Sequence, residues 1–191
     1  MKKIFIITGP IGSGKTSACK LLKKYGYRYI NSDKLAKEMI RNDKNIKQNI
    51  FKILDIDDLS RRVPWKKIRN FIATSINNKK IYDSIIHNAF YKKLNQIIEN
   101  KKYSYVIEIP LVETIKKIKQ KKITICILTN YKSRKERFIK NKHRNELQFD
   151  NLNKLQKSQK FYMKNSDYVI YNNKGIEIMT DKLIAIMNKY Q

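Results

Sequence analysis

The chain is poor in the features that mark several large classes of protein. It has two cysteines in 191 residues, Cys19 and Cys126, and their spacing is not that of a ligand pair. That excludes a disulfide framework and a cysteine-built zinc site. Both sit in apolar patterns and are expected as reduced core thiols of a cytoplasmic protein. No apolar run approaches the ~20 residues of a membrane span, so no membrane association is expected. The opening "MKKIFIIT" is basic and then apolar, but the apolar stretch is too short for a signal peptide and no small-residue cleavage site follows. No stretch is Gly/Ser-rich or Pro-rich, and nothing repeats at the period of a solenoid.

Acidic residues are scarce as well. Asp and Glu number 16 against 43 Lys and Arg, for a net charge of +27. Such a balance suits a polyanionic partner such as RNA or DNA. A nucleic-acid footprint is clustered, however. Here the basic residues form no tail and no single block, and Lys, Asn and Ile are abundant throughout. Biased composition accounts for that distribution, so nucleic acid is not expected as a partner. The charge still attracts small anionic ligands. Hydrophobic residues make up 41% of the chain, enough to fill a core. The length suggests one domain with room for a small insertion.

Five short β-branched runs read as strands: residues 2–8, 27–31, 103–109, 123–129 and 167–171. Helical patterns separate them. "KTSACKLLKKYG" (15–26) is a helix closed by Gly26. Residues 45–100 read mostly as helix, with an irregular "DIDDLSRRVPW" (55–65) inside. The last helix carries Ile176, Met179, Leu183, Ile186 or Met187, and Tyr190 on one face. Strands alternating with helices predict a parallel α/β sheet covered on both faces. In such sheets ligands bind beyond the strand C-termini.

The first strand runs into "GPIGSGKT" (9–16), which fits G-x-x-x-x-G-K-[ST]. Gly9, Gly12, Ser13 and Gly14 let the backbone wrap a phosphate closely. The helix that follows adds the positive end of its dipole. Lys15 can reach the β- and γ-phosphates, and the Thr16 hydroxyl can hold Mg²⁺. Ser17 is a further candidate phosphate contact. The context is strand before and helix after, so the motif implies ATP or GTP. No guanine-specificity motif stands in the right place; "NNKG" (172–175) resembles one only loosely. A small kinase is the class that fits this length.

In such a kinase the acceptor hydroxyl must meet the γ-phosphate in line. A carboxylate at the end of the second strand suits that geometry. "INSDKLAKEMI" (30–40) supplies Asp33, although Asn31, Ser32 and Asp33 can each serve as a helix N-cap.

The ordered set "TGPIGSGKTS", "NSDKLA", "IIHNAF", "IPLVE", "RKERFIKNKHR…LQKSQ" and "SDYVIYNNKG" resembles the dephospho-coenzyme A kinase family, from about residue 3 to the C-terminus. Beyond the phosphate loop no single piece is specific; the order and distances are. The resemblance implies a P-loop kinase fold on a five-stranded parallel sheet. The core would span about 1–44 and 101–191, a helical acceptor-binding insertion about 45–100, and a basic lid about 130–160. It implies transfer of the ATP γ-phosphate to the 3′-hydroxyl of dephospho-coenzyme A, with Mg²⁺; a monomer or weak homo-oligomer is expected.

Carried over position by position, Asp33 matches the family's presumed catalytic carboxylate, with Lys15 and Arg137 as further catalytic candidates. Thr8 and the loop Gly9 to Ser17 match the nucleotide site, except that Pro10 replaces a glycine and lacks an N–H. Asn31 replaces a family Asp and removes one charge. His87 matches the family histidine with Asn88 in place of a proline; it either touches the acceptor or is a satisfied helix residue. Pro110, Leu111 and Glu113 match the next motif as substrate-binding candidates. Glu108 ends the third strand, where an acidic residue could hold Mg²⁺ through water. Asn172 and Asn173 fall beside the expected adenine pocket, or are turn residues.

In the lid, Arg134, Arg137, Lys140 and Arg144 follow helical spacing and are expected as one basic stripe. Arginine suits phosphate oxygens. Arg137 aligns with the first lid arginine of the family. The second falls on Asn141, leaving Lys140, Lys142 or Arg144 to substitute, and Lys142 reads best as a solvated face. Two alternatives stand beside the resemblance. A nucleoside monophosphate or shikimate-type kinase would carry an acceptor-binding arginine soon after the second strand, and Arg41 is late for that. A nucleotide-switched RNA-binding protein would cluster its basic residues on one face.

Overall fold

The structure, a computed structural model, describes residues 2–140 and 145–190. Five strands form one sheet: β1 (Ile4–Thr8), β2 (Arg28–Asn31), β3 (Tyr105–Glu108), β4 (Ile123–Leu128) and β5 (Tyr168–Tyr171). Their order is β2-β3-β1-β4-β5, and each neighbouring pair is parallel. This is the expected α/β sheet. β1 lies in the middle, and every residue of "IFIIT" is buried. A central parallel strand is covered on both faces, so it reads as a continuous apolar run rather than an alternating one.

The helices are α1 (Lys15–Lys24), α2 (Ser32–Asn42), α3 (Lys44–Lys52), α4 (Trp65–Thr74), α5 (Ile76–Glu99), α6 (Tyr131–Ile139), α7 (Glu146–Lys154), α8 (Gln159–Lys164) and α9 (Ile176–Asn188). A 3₁₀ turn spans Val112–Lys117. On one sheet face, Phe5, Ile7, Val106, Ile125, Ile127 and Ile170 pack with Ala18, Cys19 and Leu22 of α1 and Met179, Leu183, Ile186 and Met187 of α9. Strand alternation sends Ile6, Ile107 and Cys126 to the opposite face, and they are fully buried there. Tyr190 packs against the first cluster as expected, but Ile176 at the start of α9 is 55% exposed. Ile176 is the first helical residue after Gly175, before the apolar stripe turns inward.

Both cysteines are free thiols in the core. Burial pushes Cys19 well above its ordinary range and Cys126 up to about 12, so neither is a thiolate at neutral pH.

The chain divides into two compact units, Met1–Asn31 with Ile98–Gln191, and Ser32–Ile97. The insertion was expected to begin near residue 45; the division falls at Ser32 instead. The reason is that α2 packs on α3, and the buried Leu35 and Ile40 of α2 belong with Ile46, Ile50 and Phe51 of α3. Within this second unit Lys37 and Arg41 lie over the ring of Trp65, at 5.7 and 5.4 Å from its centroid. Asp43 caps α3 by accepting from the Ile46 N–H at 3.0 Å.

The sheet and its helices depend on the shared apolar layer. Leu183 is fully buried in it. Leu183→Ala is expected to lower the free energy of unfolding by about 2–5 kcal/mol, read from the midpoint of urea denaturation.

Candidate active site

The loop Gly9 to Thr16 leaves the C-terminal end of β1 and enters α1. Two of its glycines are dictated by close approach. A Cβ on Gly9 would stand 2.2 Å from the Ile127 carbonyl oxygen of β4. Gly14 is the N-cap of α1 at φ +104°, and a Cβ there would stand 2.5 Å from Asn172 Nδ2. Only glycine meets both the conformation and the space.

The loop is held from below. The Ser13 carbonyl accepts from Asn172 Nδ2 at 3.0 Å and from the Thr129 hydroxyl at 3.1 Å. Asn172 is itself fixed at the end of β5 by donating its N–H to the Leu128 carbonyl at 2.7 Å. The sequence left Asn172 either beside the adenine pocket or as a turn residue; in the structure it is buried under the loop as a support. Asn173 Oδ1 accepts from the Asn130 N–H at 3.0 Å, and Asn130 caps α6 by accepting from the Ser133 N–H at 2.8 Å. Thr8 and Ser13 are fully buried, and neither hydroxyl has a hydrogen-bond partner among the described residues.

Pro10 offers no N–H, but its carbonyl is used twice. It accepts from the Ser13 N–H at 3.3 Å and from the Lys15 ammonium at 2.9 Å. Lys15 is thereby folded back over the loop.

Glu108, at the end of β3, gathers three elements. It is 7% exposed. Its Oε1 accepts from the Thr16 hydroxyl of α1 at 2.7 Å. Its Oε2 accepts from Asn31 Nδ2 at 2.8 Å and from the Tyr29 hydroxyl, both on β2. The parallel register sets Asn31 directly opposite Glu108. A carboxylate at position 31 would therefore sit against a second carboxylate, whereas the amide donates to it. Burial, and then the bond to Glu108, holds the Tyr29 phenol above its ordinary range. Tyr29 was not singled out in the sequence. Its signal is visible only in the register, since it shares a face of β2 with Asn31.

Thr16 and Glu108, the two candidate metal ligands, are thus in direct contact. A hydroxyl and a carboxylate are hard oxygen donors of the kind Mg²⁺ takes together with phosphate oxygens and water. The residues fit the ion. No cluster of three or more His, Cys, Asp or Glu exists among the described residues, so nucleotide phosphates would have to complete the coordination.

The lid arginines separate. Arg137 Nη2 donates to the Asn172 carbonyl at 3.0 Å, and Nη1 reaches the Thr129 hydroxyl at 3.4 Å. Arg134 is only 5% exposed and donates through Nη1 to Asn153 Oδ1 at 2.9 Å and the Ile11 carbonyl at 3.3 Å. Lys140 is exposed. The expected single stripe is not a single surface, because α6 buries its Arg134 and Phe138 side. Asn141, Lys142 and Arg144 lie outside the described residues. A second lid residue, Gln156, accepts from the Ile11 N–H at 2.8 Å. It lies within "LQKSQ" (155–159), where nothing local in the sequence marks it.

The segment after β3 is a structural turn. The Pro110 carbonyl accepts from the Tyr162 hydroxyl at 2.9 Å, and the Leu111 carbonyl accepts from the Thr114 hydroxyl at 2.7 Å. Glu113 lies in the first turn of the 3₁₀ segment, and its Oε2 is buried without a hydrogen-bond partner among the described residues. Burial, and then the Glu113 carboxylate, raises the Tyr162 phenol.

Asp33 and His87 belong to the second unit. Asp33 is an exposed first-turn residue of α2, where the helix N-terminus favours its charge. Burial, then the carboxylates of Asp83 and Asp33, pushes the Tyr82 phenol up to about 12. His87 Nε2 stands 3.5 Å from Asp83 Oδ1, and Lys79 stands 2.7 Å from Asp83 Oδ2. The structure thus brings Asp33, Tyr82, Asp83 and His87 into one neighbourhood. His87 has the Asp83 partner that a satisfied helix histidine would have.

Gly14→Ala is expected to abolish nucleotide binding, because its Cβ meets Asn172 at the point where the loop is supported. Isothermal titration with ADP would then give no measurable heat, against clear binding by the wild type.

A family model described as Dephospho-CoA kinase matches residues 3–177. A dephospho-CoA kinase of Legionella pneumophila (strain Lens) is 25% identical over 191 residues, covering 96% of this chain and 93% of its own length. A solved structure from Thermus thermophilus superposes with a TM-score of 0.81 at 18% identity, covering 100% of this chain and 98% of the other. The dephospho-CoA kinase of Campylobacter jejuni superposes with a TM-score of 0.61 at 18% identity, over 98% of this chain and 97% of its own. At that identity the two structural likenesses speak for the fold alone. The family match extends over nearly the whole chain and takes in the loop, Glu108 and the lid, so this protein belongs to the dephospho-CoA kinase family, which phosphorylates dephospho-CoA to coenzyme A with ATP.

Proposed function

We propose that this chain transfers the γ-phosphate of ATP to the 3′-hydroxyl of dephospho-CoA in a Mg²⁺-dependent reaction. The observation that carries this reading is the contact between Thr16 and Glu108 at the mouth of the phosphate loop. A buried carboxylate against the threonine that follows the loop lysine is a ready site for a phosphate-bound cation. Bound there, Mg²⁺ would neutralise charge on the transferring phosphoryl group.

The residues of the chain do the rest. Glycines of the loop and the first-turn N–H groups of α1 cradle the phosphates. Lys15 exchanges the Pro10 carbonyl for phosphate oxygens. Ser13 and Ser17 belong to the same cradle. Asp33 orients the acceptor hydroxyl and takes its proton as oxygen attacks the γ-phosphorus. The bond to the β–γ bridging oxygen breaks, and ADP leaves. Arg137 stabilises charge on the transferred group after release from the Asn172 carbonyl. Thr8, His87, Pro110, Leu111 and Glu113 shape the acceptor side, His87 through its pairing with Asp83 and the others as supports. Asn173 flanks the base end of the nucleotide, and Asn172 acts from beneath as the support of the loop. The enzyme works as a cytoplasmic monomer or weak homo-oligomer, without nucleic acid. Its buried thiols suit that compartment, and among the described residues no helix is long and apolar enough to cross a membrane.

Purified protein given ATP, Mg²⁺ and dephospho-CoA is expected to yield coenzyme A and ADP; no product with active controls would overturn the assignment. Asp33→Asn is expected to lower kcat by about 100-fold or more while leaving Tm close to wild type, since Asp33 is exposed. Glu108→Gln keeps an acceptor for Tyr29 but loses the charge. It is expected to raise the Mg²⁺ concentration for half-maximal rate by roughly tenfold, measured by metal titration at saturating ATP.

A further inference from the structure

The tip of the phosphate loop is gripped by a circuit of side chains that the reaction described above does not use. Ile11 is the residue gripped. Its N–H donates to Gln156 Oε1 at 2.8 Å, and its carbonyl accepts from Arg134 Nη1 at 3.3 Å. Asn153 joins the two. Its Oδ1 accepts from Arg134 Nη1 at 2.9 Å, and its backbone carbonyl accepts from the Gln156 N–H at 3.2 Å. The ring of bonds closes on one residue of the loop, through α6, α7 and the residue pair after α7.

The circuit is built rather than incidental. Arg134 is 5% exposed, and its guanidinium lies over the rings of Tyr131 and Phe149, at 5.8 and 5.6 Å from their centroids. Such burial of a cation is costly unless its geometry is fixed by partners. It does not face outward to meet a phosphate. The backbone beneath it is equally close, since a Cβ on Gly12 would stand 2.4 Å from the Arg134 carbonyl oxygen.

The need for the circuit lies in Pro10. Proline supplies no N–H and fixes its own φ. The Ser13 N–H is turned inward to the Pro10 carbonyl. With those two donors withdrawn and the Ile11 N–H taken by Gln156, the orientation of Ile11 and Gly12 between them decides where the following amides point. A neutral amide at 156 accepts from Ile11 without placing negative charge beside an anionic ligand.

We propose that Gln156, Asn153 and Arg134 are positioning residues for the nucleotide: they hold the Ile11 backbone so that the amides of the loop converge on the ATP phosphates. This rests on the reading that the loop binds ATP, and nucleotide binding is therefore tested apart from turnover. Gln156→Ala is expected to raise the ADP dissociation constant about tenfold, the loss of one well-placed bond, in isothermal titration without acceptor. In the coupled assay it should raise KM for ATP similarly, with kcat and KM for dephospho-CoA within twofold of wild type. That split marks lost nucleotide binding rather than lost chemistry. Arg134→Gln should act in the same direction, and the double variant should fall short of the product of the two effects, since both act on Ile11. Unchanged ADP affinity in Gln156→Ala overturns the proposal. So does a parallel rise in both KM values with a lowered Tm, which marks general damage to the lid. If Arg134→Gln does not fold, Gln156→Ala decides alone. A wild-type protein that binds ADP but does not phosphorylate dephospho-CoA would sink the functional reading and leave this one to be judged on binding.

Discussion

The nucleotide end of the sheet depends on one buried carboxylate. An unpaired Glu108 at 7% exposure would be strongly destabilising. It is tolerated because Thr16, Tyr29 and Asn31 all donate to it. Bonds to a charged acceptor are each worth about 1.5–3 kcal/mol, more than neutral ones. The donors come from α1 and β2, so meeting the needs of one side chain also sets where α1 starts and how the end of β2 lies against β3. The same carboxylate then stands beside the loop, in contact with the Thr16 hydroxyl.

The loop itself follows a second constraint, the approach of its backbone to neighbours. Gly9 touches β4, Gly12 touches α6, and Gly14 touches Asn172. Each contact spends a glycine, and the chain has only five. Three are therefore used where a Cβ cannot fit. Side chains from beyond β4 and β5 bear on what remains. Thr129 and Asn172 take the Ser13 carbonyl, and Arg137 takes the Asn172 carbonyl in turn. The loop is held by the ends of neighbouring strands and by the lid, so its shape is a property of the sheet edge rather than of eight residues.

The charge of +27 enters this picture less than its size suggests. The ion pairs among described residues are few, and Arg61–Asp58 and Lys135–Glu146 lie at the surface, where each contributes little. The basic residues that shape the loop are those with fixed partners: Lys15 on Pro10, Arg134 on Ile11 and Arg137 on Asn172. Composition alone could not separate these from the rest, because burial and partner identity distinguish them and neither is written in a count.

Much of the fold was legible because its signals are local. Five β-branched runs predicted the strands, and both faces of a parallel sheet are covered, so the runs are short and continuous. The loop motif is contiguous, which is why Lys15 and Thr16 could be named from it. Glu108 was named from its place at a strand end, but Tyr29 was not, and Asn31 only as a cap or a replaced Asp, because only the register brings Asn31 opposite Glu108. Arg134 read as a lid cation from its spacing; the rings of Tyr131 and Phe149 made it a buried support. Asn172 read as a base contact or turn residue, and the close approach of Gly14 made it a prop. The sequence by itself determined the class of fold, the phosphate loop and the order of its motifs, since each is carried by neighbours in the chain. Only the tertiary structure decided which side chains support that loop. Those partners are as far apart as Ile11 and Gln156, and meet only when parallel strands bring their ends to one edge.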